Sequence, residues 1–511
     1  VSLMLDENQT NLDNVIQAGN YDIGHVLGTS GDAVAYKSVV CRNGSKAGGV
    51  TGSPIPDGDN FYFDVVAHEM GHQFGASHTF NGDDGSCGMN GQRNPETAVE
   101  PGSGSTIMAY AGYCSSQTVQ AHSDLYFHII SIEEIRAYVT SGTGSNCPAI
   151  TNLVTNNNIP VADAGQDFTL PKGTPFKLVG DGSDADGDPI SFCWEQTDNG
   201  VTIVPPSTTA TSGALFRSQN PTTSSERFFP QFKTLINGVV SSTWEVIPEV
   251  ARDMNFRLTV RDNNAEVGQV VSDDLLVSVT DAAGPFLVTS QNSEELVWTA
   301  NSSETITWDV AGTNANGINV SRVNILLSVD GGKTFVTTLA ANVPNDGNHV
   351  ITVPELSGPQ CFVMVEAVGH YFFSMNKISF SIGEFNQICN IIASEDTPVA
   401  IPDNDDTGVS SVITIAENIN IEDLKVHLIN ENNPGLTHTW LGDLTVTLES
   451  PEGTIVELLN SDCDDGDDIQ VIFSDAGDPL SCNFSSPAIS GIKKPRQELS
   501  VFNGENAQGN W

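Results

Sequence analysis

The sequence predicts a multidomain chain: an α/β (α+β) domain first, then a string of all-β sandwich modules. Three observations carry that prediction. The chain has 511 residues, more than one hydrophobic core holds, so about three to five domains are expected. Mixed helical and strand patterns are confined to the first 147 residues. Beyond the polar stretch TNLVTNNNIP (151–160), short alternating runs recur between Gly, Asp and Asn turns, which is the pattern of β-sandwiches.

In the first domain, DAVAYKSVV (32–40) predicts a strand and SIEEIRAYV (131–139) a short helix. Ser131 and Glu134 have the spacing of a capping box, and Ile132, Ile135 and Val139 supply an apolar face. TNLVTNNNIP reads as a linker closed by proline. TPFKLVG, NFRLTVRD and DLLVSVTD then predict strands of a first sandwich. ETITWDVAG, VNILLSVDGGKTFV, NHVITVPE and NKISFSI predict a second, over about 285–384. LKVHLIN, DLTVTLESPEGTIVELL and IQVIFSDAG predict a third, beginning near Cys389. No short-period repeat is visible, so these are different modules and not a solenoid.

Charge excludes one large class of function. With 20 Lys and Arg against 64 Asp and Glu the net charge is −44, a surface that repels nucleic-acid phosphates. Most of those carboxylates are solvated surface, yet they also offer ligands to hard cations such as calcium. No apolar run approaches the ~18 residues of a transmembrane helix. The opening VSLMLDENQTNLDN lacks the charged and apolar regions of an export signal, and the chain reads as a fragment of a longer precursor. Nine cysteines without a CxxC pair argue against a zinc ribbon and for an exported, disulfide-bonded protein.

The chemistry concentrates at HEMGHQFGASH (68–78). On a helix His68 and His72 share one face, and neutral imidazoles there suit zinc at about 2.0–2.1 Å. Gly75 can take positive φ, stop the helix and let His78 swing back as a third ligand. Three protein ligands leave a fourth position open for water, the catalytic arrangement. Glu69 follows His68 directly and can take a proton from that water and pass it to a leaving amine. By residue frequencies, chance produces such a motif in about one chain in 10⁵, so a helix with incidental histidines is the poorer reading.

This motif resembles the signature HExxHxxGxxH of the metzincin zinc peptidases. A second element agrees: GSTIMAYAGYC (104–114) is similar to the methionine turn of that family, with Met108 as the hydrophobic floor under the imidazoles. The resemblance implies that Tyr110 stabilises the oxyanion; a buried packing tyrosine is the alternative. Within the metzincins the cysteines resemble the reprolysin arrangement, which implies bridges Cys41–Cys147 and Cys87–Cys114. It also implies that residues 32–40 form an edge strand lining the cleft, and that Asp22 is an acidic calcium ligand. Reprolysins usually place Asp after the third histidine, where this chain has Thr79. The domain, 1–150, reads as one whose N-terminal part is missing. The stretches KAGGVTG and SDLYFH resemble secreted bacterial peptidases of this type, which implies a secreted or cell-surface protein, exported by a type IX route. His122 and His128 read as packing or surface residues.

PVADAGQDFTLPKGTPFKLVGDGSDADGDPISFCW (160–194) resembles a polycystic-kidney-disease-type (PKD) or cadherin-like sandwich, here 158–282. Asp181, Asp184, Asp186 and Asp188 crowd one loop; a calcium ion joining them and a plain Asp-Gly turn cluster are equal readings. Cys193 and Trp194 are expected in its core. Residues 285–384 read as an Ig-like sandwich. Residues 388–511 resemble the jelly-roll P domain of proprotein convertases through THTWLGDLTVTLESPEGT, VIFSDAG and FNGENAQGNW, cut off before a last strand. That likeness implies Asp443 and Asp475 as calcium ligands, and Cys463 and Cys482 could pair. Cys193, Cys361 and Cys389 have no assigned partner. The expectation is a secreted zinc metalloendopeptidase acting on protein or peptide substrates, its β modules touching a cell surface or polysaccharide. Its rival is a cell-surface adhesion protein with a vestigial peptidase domain.

Overall fold

The structure is a computed structural model describing all residues except 1, 30, 32, 55, 149–157, 201–203, 266, 386–389, 403–407, 431, 432, 464, 484 and 485. Cys389 and most of the expected linker lie outside the described residues. The chain divides into two compact units. One takes Val1–Ser328, Phe335–Leu356 and Phe362–Phe380, and the other takes Val329–Thr334, Ser357–Cys361 and Ser381–Trp511. Among the described residues no helix is long and apolar enough to cross a membrane.

The first unit opens with helix α1 (Ser2–Val15) and strands β1 (Val26–Gly28), β2 (Ala33–Ala35) and β3 (Gly49–Gly52). These strands form one sheet in the order β1-β3-β2, with β1 parallel and β2 antiparallel to β3. β2 is therefore an edge strand. It is shorter than the predicted 32–40, for a local reason. Ser38 and Cys41 take φ of 61° and 63°, which extended strand excludes. The backbone N–H groups of Ser38 and Val39 instead donate to the carbonyls of His72 and Gln73, at 2.9 and 3.0 Å, covering the open end of the histidine helix.

A π-helical stretch, Asn60–Ala67, runs unbroken into helix α2 (His68–Gln73). Helix α3 (Ile129–Ser141) starts two residues before the predicted capping box. Its N-cap is His128, whose Nδ1 accepts from the Ile130 N–H at 3.2 Å. Ser131 is buried inside the helix, and Glu134 accepts from Ser77 N and Oγ at 2.6 and 2.8 Å. A histidine cap lies outside the Ser, Thr, Asp and Asn set that marks helix starts in sequence, so the signal pointed to the wrong residue.

Next come β4 (Phe168–Pro171), β5 (Ser191–Gln196), β6 (Arg252–Arg261) and β7 (Val270–Thr280), paired in the order β4-β7-β6-β5. Alternate residues of β6, namely Met254, Phe256, Leu258 and Val260, are fully buried, as a half-covered strand requires. Phe256 joins Phe176, Phe216 and Phe229 in an aromatic core, with Phe176 stacked on Phe229 at 4.8 Å. Cys193 and Trp194 lie buried in β5. Further along, Ser303–Asp309 pairs with Asn348–Thr352 and Arg322–Ser328 with Thr337–Pro344, all antiparallel.

The same sheet grips the base of α3. The buried Glu195 carboxylate of β5 accepts from the Ile129 N–H at 3.2 Å and from Thr259 Oγ1 at 3.0 Å. His128 Nε2 lies 3.7 Å from it. Arg257 pairs with Glu133, and Arg261 donates to the Phe127 carbonyl at 3.2 Å.

In the second unit, Val426–Asn430, Ile469–Asp478 and Ile489–Lys493 share a sheet, and Thr445–Glu449 forms a hairpin with Ile455–Asn460. Leu441, Val456, Leu458, Phe473 and Phe502 build its core.

Candidate metal centre

Gly75, at φ 104°, ends α2 in a conformation that side-chain-bearing residues rarely adopt. The chain reverses there, and His78 returns to the two helical histidines. His78 Nε2 lies 3.2 Å from His68 Nε2 and 3.0 Å from His72 Nε2. Each Nδ1 faces a backbone carbonyl: Ile107 at 2.7 Å for His68, Ala76 at 2.8 Å for His72, Gln92 at 2.6 Å for His78. A carbonyl only accepts, so each Nδ1 carries the proton and each Nε2 presents a bare lone pair. Nitrogens that both accept form no hydrogen bond at 3.0 Å. Three lone pairs converging in a buried pocket repel, and a cation among them removes the repulsion.

Protonation offers no escape. Burial pushes all three imidazoles below their ordinary range, helped at His68 and His78 by the neighbouring rings, and takes His78 to about 3. The donor set therefore fits zinc: neutral nitrogens, tautomers fixed by carbonyls, and three ligands converging. Glu69 is 8% exposed and its Oε2 has no hydrogen-bond partner among the described residues. Burial pushes its carboxyl up to about 8.

Met108 is fully buried and packs with Ala76 and Ile107. A Cβ on Gly71 would run into its Sδ, so glycine there lets the loop close against α2. Tyr110 lies with its ring 4.5 Å from that of His78 and 4.7 Å from Phe80, and its hydroxyl donates to Gln92 Oε1 at 2.9 Å. Burial pushes that phenol well above its ordinary range.

Two supporting residues carried no signal in the sequence. Gln92 holds both His78 and Tyr110 from a loop without a motif. Glu100 is fully buried and braces the site from below. Its Oε1 accepts from Thr79 Oγ1 at 2.6 Å and Thr106 Oγ1 at 2.5 Å. Its Oε2 accepts from the N–H groups of Ser105 and Thr106 at 2.9 and 3.3 Å. One carboxylate thus ties the residue after His78 to the loop that carries Met108.

The pairs Cys41–Cys147, Cys87–Cys114 and Cys463–Cys482 are disulfides, while Cys193 and Cys361 are free and buried. His122 pairs with Asp64 at the surface, at 2.8 Å. Of the acidic residues, Asp22 contributes its backbone carbonyl to the Cys41 N–H. Asp475 accepts from the N–H groups of Leu499 and Ser500 at 2.8 and 2.7 Å, and Asp443 ends a short 3₁₀ turn. None of these three belongs to a metal-sized group of His, Cys, Asp or Glu among the described residues.

Comparison with protein families matches residues 4–135 to the reprolysin-like metallopeptidases of family M12B. Residues 4–135 are a reprolysin-like metallopeptidase domain. Residues 431–511 match the proprotein convertase P-domain, so the peptidase domain and a P domain stand at opposite ends of one chain. A comparison with curated proteins returns no match. Among solved structures, the chain is similar to the fibronectin(III)-like modules of Clostridium thermocellum CbhA, at 11% identity and TM-score 0.14, covering 45% of this chain and 100% of that one. It is also similar to the insect immune protein hemolin, at 14% identity and TM-score 0.14, covering 45% and 49%. Drosophila N-cadherin EC1-3 matches at 11% and 0.16, covering 44% and 69%. Scores this low carry no argument; the peptidase and P-domain matches do.

Proposed function

We propose that the chain is a secreted zinc metalloendopeptidase that hydrolyses peptide bonds of extracellular proteins. The observation that carries this reading is the meeting of three bare imidazole nitrogens, with a buried carboxylate, Glu69, on the helix that carries two of them. His68, His72 and His78 would hold the zinc through Nε2. Bound there, zinc supplies Lewis acidity, lowering the pKa of a water and polarising a carbonyl. Glu69 is the general base: its carboxylate takes a proton from the attacking water and returns it to the leaving amine nitrogen. Burial alone favours its neutral acid, and a dication nearby favours the carboxylate that a base needs. Tyr110 can redirect its hydroxyl from Gln92 to the oxyanion that forms on the substrate. The free edge of β2 offers main-chain groups to an extended substrate.

The reading places four modules at 1–150, 158–282, 285–384 and 388–511, exported from a bacterium to its surface or surroundings. The three disulfides among the described residues favour an oxidising compartment. Calcium is the second cation of this reading, on the sandwich modules.

The test is Glu69→Gln in the zinc-loaded chain. Casein cleavage should fall at least about 100-fold, the scale of general-base catalysis, with one zinc still bound. Full activity in the variant sinks the mechanism. No chelator-sensitive cleavage by the wild type favours the adhesion protein instead.

A further inference from the structure

The acidic loop of the first sandwich divides its carboxylates between separate tasks. Asp181 accepts from the Gly182 N–H at 2.8 Å, and Asp186 engages the Asn158 amide at 2.8 Å. Asp184 and Asp188 instead meet a residue from elsewhere in the chain, Asp262, which directly follows β6. One carboxylate oxygen of each lies within 4.8 Å of one from each of the others.

Asp262 is 0% exposed. Its Oδ1 accepts from the N–H groups of Gln269 and Asn264 at 2.7 and 3.3 Å, but its Oδ2 has no hydrogen-bond partner among the described residues. The Oδ2 of Asp184 is buried without one as well. Asp184 Oδ1 accepts from the N–H groups of Asp186 and Asp188 at 2.8 and 3.2 Å, and Asp188 Oδ2 accepts from Asn264 Nδ2 at 2.9 Å. A buried carboxylate oxygen left without a donor is costly, and the cost rises when a second such oxygen stands close by. A cation held among the three carboxylates offsets that cost. The donors are all oxygen, without imidazole or thiolate, which selects a hard ion. Calcium–oxygen distances of about 2.4 Å let one ion reach oxygens up to about 4.8 Å apart, in the irregular geometry that calcium accepts.

We infer that Asp184, Asp188 and Asp262 form a calcium site, and that the ion braces the peptidase domain through β6. Asp262 adjoins Arg261, whose guanidinium donates to the Phe127 carbonyl at 3.2 Å and lies over the Tyr126 ring at 5.4 Å. Phe127 in turn packs against the cluster of Ala76, Ile107 and Met108. Asp188 stands three residues before β5, which holds Glu195 under the start of α3. The ion therefore fixes the ends of the two strands that grip the peptidase helix. Its binding is independent of catalysis; only its importance for the zinc centre rests on the peptidase reading.

The experiment uses the full chain, stripped of metal on a chelating resin, reloaded with one equivalent of zinc and titrated with calcium chloride by calorimetry. Asp262→Asn should lose one calcium per chain, or bind it at least tenfold more weakly, than the wild type. Hydrogen exchange over residues 124–131 should slow at least tenfold with calcium in the wild type and not in the variant. Asp188→Asn, at a half-buried position, serves the same purpose if Asp262→Asn does not fold. Equal calcium stoichiometry and affinity in wild type and variants overturns the site. Calcium binding without added protection at 124–131 overturns the bracing. Both readouts stand apart from casein cleavage, so neither failure is confused with failure of the peptidase mechanism.

Discussion

Glu100 should matter as an acceptor and not as a charge. In Glu100→Ala, two hydroxyls and two backbone N–H groups lose their acceptor in a fully buried place. The hydroxyls can turn toward each other, since Thr79 Oγ1 and Thr106 Oγ1 are 3.5 Å apart. The N–H groups of Ser105 and Thr106 cannot turn. At about 1–3 kcal/mol for each unsatisfied group, the local loss is about 4 kcal/mol, or about a thousandfold in an opening equilibrium. Glu100→Gln behaves differently. Its amide oxygen can serve the two N–H groups while its NH₂ donates to hydroxyls that rotate to accept, for a loss of about 1 kcal/mol. Native-state hydrogen exchange reads the difference at amides bonded across the loop, such as Thr79 N to the Met108 carbonyl at 3.1 Å and Tyr110 N to the Ser103 carbonyl at 2.9 Å. The alanine variant should also weaken zinc about 10- to 100-fold, the usual effect of losing an outer support of a metal ligand. If Gln is as damaging as Ala, or if Ala leaves exchange at these amides unchanged, the reasoning fails.

Gly75→Ala puts a Cβ at φ 104°, 3.1 Å from Tyr138 Cβ, and should cost about 1–3 kcal/mol. Weaker zinc binding in a chelator competition should accompany it, because the turn places His78. Away from the histidine cluster, His370 carries a pH dependence of its own. Burial pushes its imidazole down to about 4, against about 6.5 in an unfolded chain. Between those values the unfolded chain takes a proton that the folded one refuses. Stability therefore falls as pH drops from about 6.5 to about 4, by about 2–3 kcal/mol, and this group adds nothing below that. Exchange protection at Phe373, whose N–H donates to the Pro175 carbonyl at 3.1 Å, followed against pH, should show the loss in wild type and a flat profile in His370→Gln.

The sequence made the zinc motif legible because its spacing is local: α2 and one turn bring three histidines together within eleven residues. The phrase around Met108 was local too, and the structure buries Met108 against Gly71 of α2. What supports the site was not. Gln92 and Glu100 act through loop geometry, and a single Gln or Glu in a loop carries no period and no motif. Asp262 was hidden differently, since its partners Asp184 and Asp188 precede it by more than seventy residues and only the β5–β6 pairing brings them near. The misplaced start of α3 has a tertiary cause too. Glu195, sixty-six residues further along the chain, accepts from the Ile129 N–H and lets the helix begin there.

That last contact bears on what counts as the peptidase. The family match ends at residue 135, yet the sheet beyond it supplies buried groups to the peptidase side. Glu195 and His128 are both inaccessible to solvent, and Arg93 reaches from Asn81, at 2.6 Å, to the Gly200 carbonyl, at 2.6 Å. A Cβ on Gly102, in the loop before Met108, would meet the Trp244 ring at 2.7 Å. Cutting the chain at 150 would expose Tyr126 and leave the Ile129 N–H without its acceptor. A 1–150 fragment should therefore lose protection at the first turn of α3 and bind zinc more weakly than a 1–285 fragment. Equal zinc affinity and equal protection in the two would show that the sandwich is only a neighbour. The structure favours the opposite, because groups buried at such a boundary are costly unless both sides are present.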